Sequence, residues 1–520
     1  MNKPVQKIVI VGGGSAGWLT AGIIAAEHNA SSVNGIEITL IESPEIKPIG
    51  VGEGTWPTMR ATLQSIGISE AEFISCCDAS FKQGSQFVGW CNGGENDQYY
   101  HPFIAPHGFG QSDLVSHWQQ HFKHIPFAQA LSFQPAICDH NLAPKQVQTP
   151  EYAAVANYGY HLNAAKFSQL LQTHCTNNLG VKHIVDDVVA VNGDINRPIN
   201  SISTKNHGEI EAELFIDCSG SSSLLIGQHY NIKFVDHKNV LFNDRALAVQ
   251  VPYQTTDADI ASHTVSTAHD AGWIWDIGLP NRRGIGCVYA SDYYTDAQAE
   301  EALVSYLGKS LTSNEIEKTS IRKLSFKPGH REKFWHKNCV AVGMAAGFLE
   351  PLEASALALI ELSAKMIAKE LPADTSIMPI TESRFNERFS YRWQRIIEFL
   401  KLHYVLSERK SSYWLDNRNS ETIPERLQDL LKLWEYQEPT FNDFTQIEEI
   451  FPAASYQYIL YGMGFETKQR TLSRRYNNAQ ISEKNMRECG MLTQKYVAGL
   501  PTNRELIDHI IHSNMKKKVS

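Results

Sequence analysis

At 520 residues, with 42% hydrophobic and 20% charged residues, the chain has ordinary globular usage, which excludes disordered and fibrous classes and leaves room for two packed domains. A net charge of −9 without any long basic stretch argues against nucleic acid as a partner, and the tail Lys516-Lys517-Lys518 reads as a solvated end. No apolar run approaches the ~18 residues of a membrane span, while nine scattered cysteines without CxxC spacing and an N-terminus lacking a signal-like apolar core point to reduced thiols in the cytoplasm.

In chain order, Ile8–Val11 is a buried parallel strand, Gly12–Gly17 a glycine turn, Trp18–Glu27 a helix and Ile36–Ile41 a second strand, together a βαβ unit. From Gln83 to Val155 the sequence is rich in aromatics, proline and histidine and poor in periodicity, which predicts loops and short helices inserted over a cleft. Strand-like runs return at His183–Val185, Leu214–Ile216, Ala246–Val251 and Gly284–Ala290. Helical periodicity dominates after Pro379, as in Phe385–Val405, with breaks at Pro424, Pro439, Pro452 and Pro501. The expected class is α/β (α+β): a Rossmann-like three-layer domain over 1–380 carrying an inserted substrate region, and a mainly helical domain over 381–520.

Gly12-Gly13-Gly14-Ser15-Ala16-Gly17 fits GxGxxG directly after a strand and at the start of a helix. Gly12 permits the tight turn, Gly14 lets the backbone approach a pyrophosphate, and Gly17 allows close helix–strand packing. The helix start, Ser15 and Ala16 included, offers orphan N–H groups to phosphate. Glu42, ending the second strand, is placed for a ribose hydroxyl. FAD and NAD both satisfy this turn. Two later strand ends, Leu214 to Gly220 with Asp217 and Cys339 to Gly347 with Gly343 and Met344, favour the longer FAD. No second GxGxxG occurs, so reducing equivalents are expected from a separate protein.

The segment Gly272-Trp273-Ile274-Trp275-Asp276-Ile277-Gly278-Leu279-Pro280 places two tryptophans at i and i+2, on one face of an extended chain. It resembles the WxWxIP signature of the flavin-dependent tryptophan halogenase family, with Gly278-Leu279 standing before the proline. Further resemblances follow in family order. Gly50-Val51-Gly52-Glu53-Gly54-Thr55-Trp56-Pro57 is similar to its flavin strap, Phe81-Lys82-Gln83-Gly84 to the segment with its lysine, and Phe348-Leu349-Glu350-Pro351-Leu352-Glu353 to the segment with its glutamate. Tyr160-His161-Leu162-Asn163 and Asp244-Arg245-Ala246 match two structural landmarks.

The resemblance implies FADH2- and O2-dependent halogenation of an electron-rich, indole-type ring through a flavin hydroperoxide and hypohalous acid. FADH2 comes from a separate flavin reductase, and a homodimer is the family expectation. Lys82 and Glu353 are then the catalytic residues, with Glu350 the competing acid. Lys82 could act as an ammonium on hypohalous acid or through a haloamine. Ser355 and Ala356 are the halide candidates; Ala354-Ser355-Ala356 replaces the family's Ser-Thr-Gly, which suggests bromide over chloride. His101 and Phe103 resemble an indole clamp, Trp273 and Trp275 the wall between flavin and substrate, and Tyr456 an aromatic substrate contact. His117, His121 and His124 form HxxxHxxH, yet no carboxylate completes a motif and no metal is expected. A flavin monooxygenase and a non-catalytic flavin-binding protein are the alternatives.

Overall fold

A computed structural model describes residues 4–46, 52–468 and 479–519, with side chains described as far as Met515. The chain divides into two compact units, each assembled from three separated stretches. The first comprises Met1–Ala79, Leu162–His237 and Phe326–Trp393; the second comprises Ser80–His161, Lys238–Ser325 and Gln394–Ser520. The expected division into 1–380 and 381–520 treats its parts as contiguous, whereas the chain leaves and re-enters each unit.

The first unit is built on a six-stranded sheet ordered Trp335–His336, Cys339–Ala341, Leu214–Asp217, Lys7–Val11, Glu37–Glu42, Lys182–Val185. All neighbours run parallel except the short first pair. Ile8, Val9, Ile10 and Val11 are all buried, the continuous apolar run expected of a parallel strand covered on both faces. The helix Ser15–Glu27 is buried along Gly17 to Ala25 because the helices Ala164–Asn178 and Ser355–Lys369 pack against it. It starts at Ser15 rather than Trp18. Gly14 is extended, with φ −76° and ψ −176°, so the helix opens as soon as the glycine turn ends. Antiparallel strands Val188–Asn192, Ser201–Thr204 and Gly208–Glu211 form a separate meander.

The second unit carries a seven-stranded sheet ordered Arg322–Ser325, Arg245–Pro252, Arg282–Tyr289, Gly272–Gly278, Thr264–His269, Gly84–Val88, Gln98–Pro102. The helix Asp296–Leu307 covers one face, burying Ala299, Leu303 and Leu307 against Leu247, Val249, Ile274 and Ile285. Two of these strands come from the region predicted to be loops and short helices. Gly84–Val88 and Gln98–Pro102 are largely buried, so they lack the polar–apolar alternation that marks a half-exposed strand. Short helices do occur between Leu114 and Asp139. The C-terminal stretch is helical as expected, with Ser412–Asn417, Glu425–Trp434, Ala453–Gly462, Ala479–Gly499 and Asn503–Val519. Among the described residues no helix is long and apolar enough to cross a membrane, and all nine cysteines are free.

Candidate active site

The glycine turn of the first unit is shaped by close backbone contacts. Gly12 has φ +119°, and a Cβ there would lie 2.1 Å from the Cys218 carbonyl oxygen; one on Gly17 would lie 1.9 Å from the Gly12 oxygen. Either side chain would force the turn from the sheet. Gly14 differs, since a Cβ there meets no atom within 4 Å. Gly13, at a variable position of GxGxxG, is closed as well: a Cβ there would fall 2.2 Å from the Glu42 side chain. Glu42 also accepts from the His183 ring, Nε2 to Oε2 3.0 Å. The Ser15 hydroxyl is paired with the Ser168 hydroxyl at 3.0 Å.

The two later strand ends reach this turn. Gly343, at φ +68°, packs so closely on Ala16 that a Cβ would come within 2.8 Å of the Ala16 methyl, and Met344 lies in the same 3-10 turn. Asp217 serves the chain itself. Its fully buried carboxylate accepts from the Ser219 amide and hydroxyl at 3.1 and 2.5 Å and from the Leu225 and Ile226 amides at 2.8 and 2.9 Å. Those four donors occupy it, so Asp217 shapes a ledge instead of presenting oxygens to a ligand.

Gly52 and Glu53 form a short strand with Gly54, and desolvation pushes the Glu53 carboxyl up to about 7. Gly50 and Val51 lie outside the described residues. Glu353 and Ala354 both adopt left-handed backbone, φ 62° and 53°, immediately before the helix Ser355–Lys369. Glu350, Glu353 and Ser355 are buried, whereas Ala356 is exposed in the first turn of that helix. The alanine replacing the family's glycine therefore sits in regular helix, where alanine is favoured.

In the second unit, Lys82 ends the strand Ser80–Lys82 and is 1% exposed. This strand pairs antiparallel with Gly159–Asn163, aligning Lys82 with Gly159 and Ser80 with His161. Lys82 Nζ lies 5.3 Å from the Phe103 ring centroid, a cation–π distance. Burial above all, with Lys82 and His263 adding to it, holds the His161 imidazole well below its ordinary range. Its Nε2 is 2.8 Å from Thr264 Oγ1. The sequence marks the segment containing His161 as a landmark only; its place near Lys82 needs the strand register.

Trp273 and Trp275 project to one side of the strand Gly272–Gly278, ring centroids 6.3 Å apart. Gly286, opposite Trp275 in the ladder, makes room for it: a Cβ there would land 2.1 Å from the indole. His101 is buried, with its ring 5.7 Å from Phe399 and 6.2 Å from Tyr458. Tyr456 is 1% exposed and wedged between Phe399 at 4.9 Å, Phe444 at 4.9 Å and Trp434 at 5.4 Å. His117 and His121 rings are 5.0 Å apart, while His124 packs towards Phe122. Among the described residues no group of three or more His, Cys, Asp or Glu is arranged to hold a metal.

Residues 7–477 match the family described as tryptophan halogenase. The chain belongs to that family. The tryptophan 6-halogenase SttH of Streptomyces toxytricini is 31% identical over 481 residues, 88% of this chain and 89% of its own. A tryptophan halogenase from Shewanella frigidimarina NCIMB 400 has a solved structure that matches with a TM-score of 0.94 at 50% identity, covering 98% of both chains. Tar14, a tryptophan C-6 flavin-dependent halogenase from taromycin biosynthesis, matches with a TM-score of 0.90 at 29% identity over 97% of this chain and 99% of its own. The protein is thus a flavin-dependent halogenase. The first unit of this halogenase fits a dinucleotide: the space above Gly14 is open where a pyrophosphate must approach, while Gly12 and Gly17 are closed by backbone.

Proposed function

We propose that this halogenase places a halogen on an electron-rich aromatic ring of the indole class, using halide, O2 and reduced FAD delivered by a separate flavin reductase. Reduced FAD, when bound, would activate O2, and O2 supplies the oxidising equivalent that turns halide into an electrophilic halogen donor. Gly14, Ser15, Ala16 and Gly17 would hold its phosphates through backbone amides, while Gly12, whose own amide donates to the Ile41 carbonyl at 2.8 Å, shapes the turn; Glu42 would lie at a ribose. Gly52, Glu53, Gly343 and Met344 would contribute further contacts, and Asp217 shapes the ledge beneath them.

Lys82 takes up the halogen donor. As an ammonium it hydrogen-bonds hypohalous acid and polarises the O–X bond; as an amine it forms a haloamine. The ring π electrons then bond to the halogen as its bond to oxygen or nitrogen breaks. Glu353 stabilises the resulting ring cation and takes the proton that leaves the substituted carbon. Ser355, with Ala356 behind it in the same helical turn, binds the halide. Trp273 and Trp275 keep the organic substrate from the flavin, and His101 and Phe103 contact its ring, with Tyr456 backing that aromatic cluster.

The observation that carries this reading is a lysine buried to 1% exposure with an aromatic face 5.3 Å from its ammonium. A lysine so enclosed costs stability and is retained for chemistry more readily than for packing. The test is incubation with FAD, a flavin reductase, NADH, bromide or chloride, and a panel of indoles, read by mass spectrometry. Replacement of one hydrogen by halogen is expected, with bromide at least as effective as chloride, and Glu353→Gln should slow it about a hundredfold. A hydroxylated product free of halogen would establish a monooxygenase instead. Wild-type halogenation by Lys82→Ala would overturn the assigned chemistry.

A further inference from the structure

The turn bearing Glu353 is held in a conformation that its residues disfavour. Glu353 and Ala354 are consecutive left-handed residues without being glycine, so isolated sequence preference would relax them. Two hydrogen bonds oppose that relaxation. The Ala354 amide donates to the Pro351 carbonyl at 2.9 Å, and the Trp56 indole N–H donates to the Glu353 carbonyl at 2.7 Å. That carbonyl belongs to the peptide joining the two left-handed residues. Its orientation sets ψ of Glu353 and φ of Ala354 together, hence both the direction of the Glu353 side chain and the start of the helix Ser355–Lys369.

Trp56 is itself anchored. It precedes the helix Thr58–Ser65, whose Thr58 hydroxyl donates to Glu361 Oε2 at 3.1 Å and whose Thr62 hydroxyl donates to Glu361 Oε1. Glu361 lies on the helix that Ser355 begins and is also paired with Lys365 at 3.3 Å. The segment 56–62 is therefore fastened to the Glu353 element at two points, one before the helix and one within it.

We propose that Trp56 is a positioning residue for halogenation, its indole N–H locking the Glu353–Ala354 peptide so that the Glu353 carboxylate and the first amides of the following helix keep a fixed aim. This rests on the role proposed above for Glu353. Trp56→Phe keeps an aromatic ring and removes the donor. Its kcat should fall about tenfold or more, the size of loss that small misalignments cause, while FAD affinity and thermal midpoint stay near wild type. Hydrogen exchange across 352–358 in the apo protein should quicken. Adding Ala354→Gly to Trp56→Phe should restore part of kcat, because glycine holds left-handed backbone without the latch, whereas a packing role for the indole predicts no such rescue.

Glu353→Gln measured alongside separates the two claims. A fully active Glu353→Gln overturns the role of Glu353 and the latch with it. An impaired Glu353→Gln beside a Trp56→Phe with unchanged kcat and unchanged exchange overturns the latch alone, as does a Trp56→Phe loss that Ala354→Gly leaves untouched.

Discussion

The glycine turn Gly12–Gly17 and the strand Ser80–Lys82 are both indispensable to the proposed chemistry, yet they are made in opposite ways. In the turn, what matters is the absence of side chains: three of its positions are closed by backbone or by Glu42, and Gly14 stands open. In the strand, one long charged side chain is enclosed, and its surroundings come from Phe103, from the partner strand at Gly159–His161 and from His263. A site made by leaving atoms out is local in sequence. A site made by surrounding one atom is not.

That contrast can be broken most forcefully at Gly17. A Cβ 1.9 Å from the Gly12 oxygen should make Gly17→Ala lose more than about 4 kcal/mol or fail to fold, whereas Gly14→Ala should keep the wild-type thermal midpoint and lose only FAD affinity. Thermal unfolding and a flavin titration on the pair decide it; equal destabilisation of both would show that Gly14 is no more open than its neighbours.

Next in size is Lys82. Lys82→Ala should cost about a thousandfold in halogenation with the flavin still bound, and Lys82→Arg should not restore the rate, since a planar guanidinium neither forms a haloamine nor matches an ammonium's point charge. Full activity in the arginine variant would reduce the site to a requirement for positive charge.

A smaller effect is expected at Gly286. The methyl of Gly286→Ala would meet the Trp275 indole, so a loss of about 1–3 kcal/mol is expected in denaturant unfolding, along with altered Trp fluorescence. An unperturbed variant would mean that the indole swings freely and forms no wall.

The gentlest test is pH. Desolvation raises the Glu53 carboxyl from 4.5 to about 7. Below 4.5 it is protonated in folded and unfolded states alike and costs nothing; as pH rises towards 7 the unfolded chain ionises first, so stability falls across that window and then levels off. Glu53→Gln should flatten this part of the thermal midpoint against pH curve for the apo protein. An unaltered slope would trace it to other groups.

Much of the first unit was legible in the sequence. Ile8–Val11, the glycine turn and the strand ending at Glu42 follow from local pattern, because a parallel strand and a tight turn are specified by neighbouring residues. Boundaries moved where a cap decided them, as at Ser15. In the second unit Gly84–Val88 and Gln98–Pro102 fall where the sequence predicts loops and short helices, since burial on both faces erases their alternation. Lys82 and Glu353 stood out only through family resemblance; by composition each is an unremarkable charged residue, most often exposed. Trp56 carried no signal as a donor, because its acceptor lies 297 positions away.

The amino-acid sequence by itself determined the dinucleotide turn, the paired tryptophans and the helical C-terminal stretch, because turns, alternation and helical period are properties of a few adjacent residues. Only the tertiary structure decided that Asp217 is spent on its own turn, that Gly286 makes space for Trp275, and that Trp56 holds the carbonyl of Glu353. Each of these depends on which distant backbone arrives within hydrogen-bonding or van der Waals range, and that is settled by the packing of the whole unit.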